Sequence, residues 1–516
     1  MERRTEFVRE RVQRSVFSES TGEYALPDYN TDIKKILLTE AEALPSGAFP
    51  DGDALECAGV ILYKMVYLDA ENNITHLEFT TDYDFAVRCN GERYIDSSVS
   101  TRVANFAIRL MGPRKIVAKA TLESDVHINE QDAIEIQGDA ADGAALEERS
   151  VSVGVREARI FTMPEREYAE ELCRIVGAIS DEVDVLYICG EACDVELCTG
   201  ENGRALRGSI LVRALVGVRG SEPCLYERYI QINEAVDDAW ELDDGRTDIV
   251  TVISSLVPSV NAEEDGVSIT VSAIVEHRLR GSLCRELSLL CDCYRTDRGV
   301  RNEYSDFSYT TLVDTGKSSE KYEMRLAKDT SGYEGVREVL CCRAHVRSES
   351  ASTDGRGVKI SGEIRFSGVA CEVLENGETV FVPVRLDLPF EQNVNINCQI
   401  CDNMRIESRT TVGRADITVD ASTLSLTAEL SAFVSVLSDE RVRRVSASEL
   451  TDEEYVSSPS RVVVYFPTPE DTLFEVARRY HTTPTRVASV NSLTEECVSD
   501  SGSRDSLRGI KRLVIK

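Results

Sequence analysis

Asp51-Gly52-Asp53-Ala54-Leu55-Glu56-Cys57-Ala58-Gly59-Val60-Ile61-Leu62-Tyr63-Lys64-Met65-Val66-Tyr67-Leu68, then Asp69-Ala70-Glu71-Asn72-Asn73, then Ile74-Thr75-His76-Leu77-Glu78-Phe79: this stretch decides the fold. Apolar and polar residues alternate on both sides of a polar turn. That is the pattern of a half-buried hairpin, since successive strand side chains face opposite ways. Gly59 interrupts the first strand. A glycine there marks a bulge or a close backbone approach, because it has no side chain to pack.

The arrangement recurs twice. Gly203-Arg204-Ala205-Leu206-Arg207-Gly208-Ser209-Ile210-Leu211-Val212 leads to Tyr226-Glu227-Arg228-Tyr229-Ile230. Gly357-Val358-Lys359-Ile360-Ser361-Gly362-Glu363-Ile364-Arg365-Phe366 leads through the turn Glu375-Asn376-Gly377-Glu378 to Phe381-Val382-Pro383-Val384. Gly59, Gly208 and Gly362 occupy equivalent places at a spacing of roughly 150 residues, a domain-sized period longer than any solenoid repeat. A second hairpin follows each copy: Val103–Asn105 to Ala118–Leu122, Ser255–Val257 to Thr270–Val275, and Met404–Ile406 to Leu424–Leu430.

The expected fold class is therefore mainly β: three diverged, sandwich-like β-rich repeats at residues 1–160, 161–315 and 316–445. A linker at 446–460 and a small module at 461–516 complete the chain. Two helices are expected in the body. Pro164 to Ile179 carries Tyr168, Ala169, Leu172, Cys173 and Val176 at helical spacing, and Thr31 to Thr39 carries Ile33, Ile36 and Leu37.

At 516 residues, several domains are expected. The net charge is -32, from 58 basic and 90 acidic residues, which argues against nucleic acid as a partner. The imbalance is uneven. Residues 460–516 hold 9 basic and 7 acidic side chains, so this end is +2 and the rest -34. No apolar run is long enough to span a membrane, and Met1-Glu2-Arg3-Arg4-Thr5-Glu6-Phe7 opens no signal peptide, so a cytoplasmic protein is expected. The 16 cysteines fall mostly in apolar strand-like runs and read as reduced, buried thiols.

In the C-terminal module, Val462–Pro467 is strand-like, and Thr472-Leu473-Phe474-Glu475 has capping-box spacing. Leu473, Val476, Ala477 and Tyr480 then form one face of a helix. Thr483 and Pro484 open a second helix as cap and first residue. A polar loop, Thr494 to Arg508, leads to a closing strand at Ile510–Ile515.

This βααβ order resembles a LysM domain, most closely from Glu470-Asp471-Thr472-Leu473 to Ala477-Arg478-Arg479-Tyr480. The resemblance implies a shallow groove for N-acetylglucosamine glycans, with candidates Pro469, Glu470, Asp471 and Thr472 on one side and Asn491, Ser492 and Leu493 on the other. Glu470 stands where the family usually has glycine, placing a charged side chain where close backbone approach helps a sugar. The body resembles the SPOCS domain (domain of unknown function 3794) of endospore-forming bacteria. Leu26-Pro27-Asp28-Tyr29-Asn30-Thr31-Asp32-Ile33-Lys34-Lys35-Ile36-Leu37 and Leu290-Cys291-Asp292-Cys293-Tyr294-Arg295-Thr296-Asp297 carry that likeness. It implies a non-enzymatic scaffold of the spore envelope on the mother-cell side, its LysM-like tail docking to a coat morphogenetic ATPase-type protein. The alternative is a peptidoglycan-binding protein; self-association is a further expectation.

No catalytic set, cofactor or metal site is expected. Thr315-Gly316-Lys317-Ser318 ends like a phosphate loop, but the required first glycine is Thr311, so it reads as a solvated turn before a helix. Cys398-Gln399-Ile400-Cys401 is a lone pair where structural zinc needs more ligands. None of His76, His127, His277, His345 or His481 lies in a catalytic motif.

Overall fold

The structure is a computed structural model that describes residues 3–138, 145–200, 203–237, 240, 242, 246–353, 357–374, 376–455, 462–499 and 501–516. It is mainly β. Alternating burial makes the strands and pairs the sheets. The first group contains β1 (Arg3–Ala25), β2 (Lys35–Asp51), β3 (Ala54–Leu68), β4 (Ile74–Arg88), β5 (Tyr94–Gly112) and β6 (Lys115–Ile136). Here β2, β3 and β4 form an antiparallel meander, and β1, β6 and β5 form a second sheet in that order. Ile61, Tyr63, Met65 and Tyr67 of β3 point at Ile116, Ala118, Ala120 and Leu122 of β6, so the two central strands face each other across one core.

The second group contains β7 (Leu146–Thr162), β8 (Arg166–Val176), β9 (Val183–Gly200), β10 (Gly203–Val218), β11 (Cys224–Val236), β12 (Asp248–Ala262) and β13 (Gly266–Arg295). The third contains β14 (Arg298–Ala327), the single-turn α1 (Lys328–Ser331), β15 (Val336–Thr353), β16 (Gly357–Val373), β17 (Thr379–Asn395), β18 (Met404–Val419) and β19 (Thr423–Glu454). Their meanders are β9-β10-β11 and β15-β16-β17, and the facing sheets run β12-β13-β7, with β8 also on β13, and β14-β19-β18. Again the central strands pack together, β10 on β13 and β16 on β19. Leu206, Ile210, Ile360 and Ile364 are fully buried there. In each group the sheets also meet along their edges, β2 beside β5, β9 beside β12 and β15 beside β18.

Gly59, Gly208 and Gly362 lie in the three central meander strands, the first two at a bulge in the pairing with the preceding strand and Gly362 one residue from such a bulge. A Cβ at any of them would come closer than 3.0 Å to backbone atoms of that strand, which bars a side chain.

The three groups form a ring, with β4 against β9, β11 against β15, and β17 against β2. Two centres lie where they converge. One is apolar: Leu38, Val66 and Leu68 of the first meander meet Tyr187, Cys189 and Leu215 of the second and Cys341, Val369 and Cys371 of the third. The other is ionic. Glu10 of β1 accepts from Arg156 of β7 and, at 2.7 Å, from Arg280 of β13. Arg280 also reaches Glu407 of β18 at 3.4 Å, and Arg14 reaches Glu407 at 2.6 Å. His127 lies 3.1 Å from Glu10 through Nδ1.

Several expectations are corrected. Residues 166–176, read as part of a helix from Pro164 to Ile179, are strand β8, paired with β13 from Gly266↔Val176 to Val275↔Arg166. The exposed edge of β13 takes up backbone groups that a local helix would have satisfied internally, and tertiary pairing overrides spacing. Thr31 to Thr39 is no helix either: an irregular segment runs into β2 at Lys35. Leu37 and Leu38 are adjacent and both buried because β2 is covered on both faces and bulged between Ile36 and Leu38, which mimics helical clustering. Thr315–Ser318 is mid-strand in β14, opposite Ser435 to Ala432, and not a turn. The boundaries at 160/161 and 315/316 fall inside β7 and β14. Of the expected linker 446–460, residues 446–454 finish β19, and 456–460 lie outside the described residues.

Candidate docking site on the C-terminal module

The C-terminal module contains β20 (Val463–Tyr465), α2 (Leu473–Arg479), α3 (Pro484–Asn491), α4 (Glu495–Ser499) and β21 (Leu513–Ile515), with β20 antiparallel to β21. Helix α4 and a 3-10 turn at Arg504–Leu507 occupy part of the stretch expected as a polar loop. Leu473, Val476, Ala477, Val487, Leu513 and Ile515 build its core.

The seven sequence-derived positions divide by what their side chains do. Asp471 is bound internally: its Oδ2 accepts from Thr468 N at 2.7 Å, Thr468 Oγ1 at 2.9 Å and Tyr465 Oη at 2.8 Å. Burial pushes its carboxyl up, but those hydrogen bonds and Arg479 outweigh it and hold the group below the ordinary carboxylate range. Thr472 is buried and caps α2: it accepts from Glu475 N at 3.2 Å while Glu475 accepts from Thr472 N at 3.3 Å. Asn491 ties α3 to β21, donating to Val487 O and Val514 O at 2.7 Å and accepting from Val514 N at 2.6 Å. Leu493 packs on the module core. Pro469, Glu470 and Ser492 are exposed, Ser492 in the left-handed region at φ 57° as the C-cap of α3. What the seven present outward is thus a proline, a carboxylate, a hydroxyl and backbone. The amide and the Asp471 carboxylate, the groups most suited to reading sugar hydroxyls, are used to hold the loops.

Sequence reasoning missed how the module is seated. Phe474 lies off the Leu473-Val476-Ala477-Tyr480 stripe yet is fully buried, because Tyr294 at the end of β13 packs edge-on against it at 5.1 Å between centroids. Tyr294 also donates to Thr482 O at 2.7 Å, and Arg478 donates to Asp292 at 2.6 Å. Arg149 lies over the Phe474 ring, and Tyr455 stacks on His481 at 3.6 Å. An open cleft of about 360 Å³ remains at this seam, lined by residues that include Arg295, Arg298, Glu475, Arg479 and His481. None of the seven positions lines it. The available signal was an apolar residue beside a complete apolar stripe, which demands a second partner, together with Asp292 and Tyr294 two apart on one strand face.

Elsewhere, His277 is buried and shares a hydrogen bond of 3.0 Å with Thr251, an interstrand role, while His76 is exposed. Among the described residues no group of three His, Cys, Asp or Glu is placed to hold a metal ion, and no helix is long and apolar enough to cross a membrane. No protein-family model matches the chain, and no curated protein matches it.

Proposed function

We propose that this chain is a non-enzymatic scaffold of the bacterial spore envelope, acting on the mother-cell side: three diverged copies of one SPOCS-like sandwich closed into a ring, carrying a LysM-type module that docks a coat morphogenetic protein. The observation that carries the reading is the use to which buried charge is put. The carboxylate of Glu10 and the guanidinium of Arg156, both almost wholly out of water, and the largely buried guanidinium of Arg280 are bound to one another between sheets. Catalysis would require such groups to converge on a space a substrate can enter. A scaffold requires them to fix one arrangement of its parts.

The sequence likeness supports the module's kinship, and the internal use of Asp471 and Asn491 favours protein docking over glycan binding. The exposed Pro469, Glu470 and Ser492 suit an irregular protein surface better than a flat sugar face. Retention of the full chain on sporulating-cell lysate and on purified peptidoglycan tests this. Capture of a single protein partner, lost at least tenfold in Ser492→Trp with unchanged circular dichroism, is expected. Retention on peptidoglycan alone would reverse the assignment to a glycan-binding protein.

A further inference from the structure

The outer face of the β20–β21 ribbon is apolar where a solvated face would be polar. Val462, Val464 and Phe466 are 61%, 51% and 68% exposed. Val464 pairs with Val514, and strand alternation sets Arg512 and Lys516 on the same face. The result is a basic-rimmed apolar stripe, on a segment, residues 460–516, whose net charge is +2 while the chain as a whole is at -32.

Its complement lies on the body. Where β8 turns into β9, Val176 and Ile179 are 79% and 62% exposed. The β12–β13 turn lies alongside, Gly177 N donating to Asp265 O at 2.8 Å, and brings up the exposed Glu263, Glu264 and Asp265; Asp181 adds a fourth carboxylate. The cations nearby are Arg174, paired to Glu171 at 2.8 Å, and Arg219. This is an acid-rimmed apolar patch.

Both patches are anchored to β13, at opposite ends. Val176 pairs with Gly266 at its start, while the module sits on Tyr294 near its finish. β13 has 30 residues, an extended length of up to about 100 Å at the usual strand rise. The ribbon and the patch of one chain are thus held at opposite ends of the same strand. We propose that the ribbon face of one copy docks on the Val176–Ile179 patch of a second copy, so that copies join head to tail. Because the two surfaces differ, the contact does not close on itself as a two-fold dimer would, and it propagates head to tail into a ring or an open chain according to the rotation it imposes. Two small patches make each contact weak, and repetition along the chain supplies the strength. The contact extends the scaffold reading but is tested on the purified chain alone, without partner or glycan, so either can fail separately.

Sedimentation velocity of the full chain from about 1 to 100 µM at low salt reads the contact directly. Growing oligomers are expected, with affinity falling roughly tenfold between about 50 and 500 mM salt, as screening of a charge-rimmed contact dictates. Val464→Glu with Phe466→Glu, and separately Val176→Glu with Ile179→Glu, should each give monomers with unchanged circular dichroism. Mixing the two variants should restore one contact and stop at a 1:1 dimer. Arg512→Glu with Lys516→Glu repeats the test without touching the apolar stripe and should also weaken assembly. A wild-type chain that stays monomeric at 100 µM, variants that assemble like wild type, or a mixture that stays monomeric would each overturn the proposal.

Discussion

The two centres at which the sheet groups converge are built from opposite chemistry. At one, Leu38, Leu215 and Val369 meet as they would in any core. At the other, Glu10, Arg156, Arg280 and Glu407 meet as ions, with Glu10 and Arg156 almost wholly out of water. Apolar contacts are non-directional, so the first centre stabilises the ring without dictating how its parts are turned. Ion pairs are directional, and desolvation consumes much of their attraction; their contribution is to penalise every arrangement but one. The first centre supplies adhesion and the second supplies register.

Breaking the ionic centre should have the largest effect. Glu10→Gln leaves the buried Arg156 without its anion and Arg280 with only the longer contact to Glu407, and should cost about 3–5 kcal/mol in urea unfolding at pH 7. The pH dependence follows from the same group. Burial raises the Glu10 carboxyl, but Arg280, Arg156 and His127 outweigh this and hold it well below its ordinary value. Its stabilisation is therefore complete above the unfolded carboxylate pKa of about 4.3 and is lost as pH falls below it. The acid limb of the stability curve should flatten in Glu10→Gln.

Leu215→Ala, at a fully buried position of the apolar centre, should cost about 2–4 kcal/mol at every pH, since no ion is involved. A group at the margin of that centre has the opposite sign from Glu10. Glu191 is 8% exposed, and neither carboxylate oxygen has a hydrogen-bond partner. Burial pushes its carboxyl up, only partly offset by Arg213 and Arg343, to about 7. A raised folded pKa penalises the ionised form, so the cost appears as pH climbs above the unfolded value and is complete above about 7. Glu191→Gln should raise the melting temperature relative to wild type at pH 8, by the equivalent of about 1–3 kcal/mol, and change it little at pH 4. The smallest effect belongs to an exposed pair. Lys119 and Glu19 lie 2.9 Å apart with more than half of each side chain in water, and Lys119→Ala should cost less than about 1 kcal/mol.

Much of the β architecture is visible in alternation and in three glycines, because both are consequences of a strand's own geometry. The misread elements share a cause. β2 and β8 owe their state to what lies beside them, and each loses the two-residue period that identifies a strand: β2 is buried on two faces, and β8 is bulged at Leu172 in its pairing with β13. The ionic centre is invisible for another reason: Glu10, Arg280 and Glu407 are scattered along the chain and read as solvated charges until the ring places them together. In the C-terminal module the positions were legible but not the direction of their side chains. Thr472 and Asn491 stand where a ligand loop would put them, yet their polar atoms face the module's own backbone.

The ring also has a timetable. The first sheet pair is complete once β6 has been made, but the carboxylate of Glu407 belongs to β18. At a synthesis rate of about 5–20 residues per second, some 20–80 s separate the birth of Glu10 from that of Glu407. Within that interval β6 and then β13 complete the first two groups, the second of which supplies Arg156 and Arg280, while the surfaces that await the third group stay wet until its strands are made.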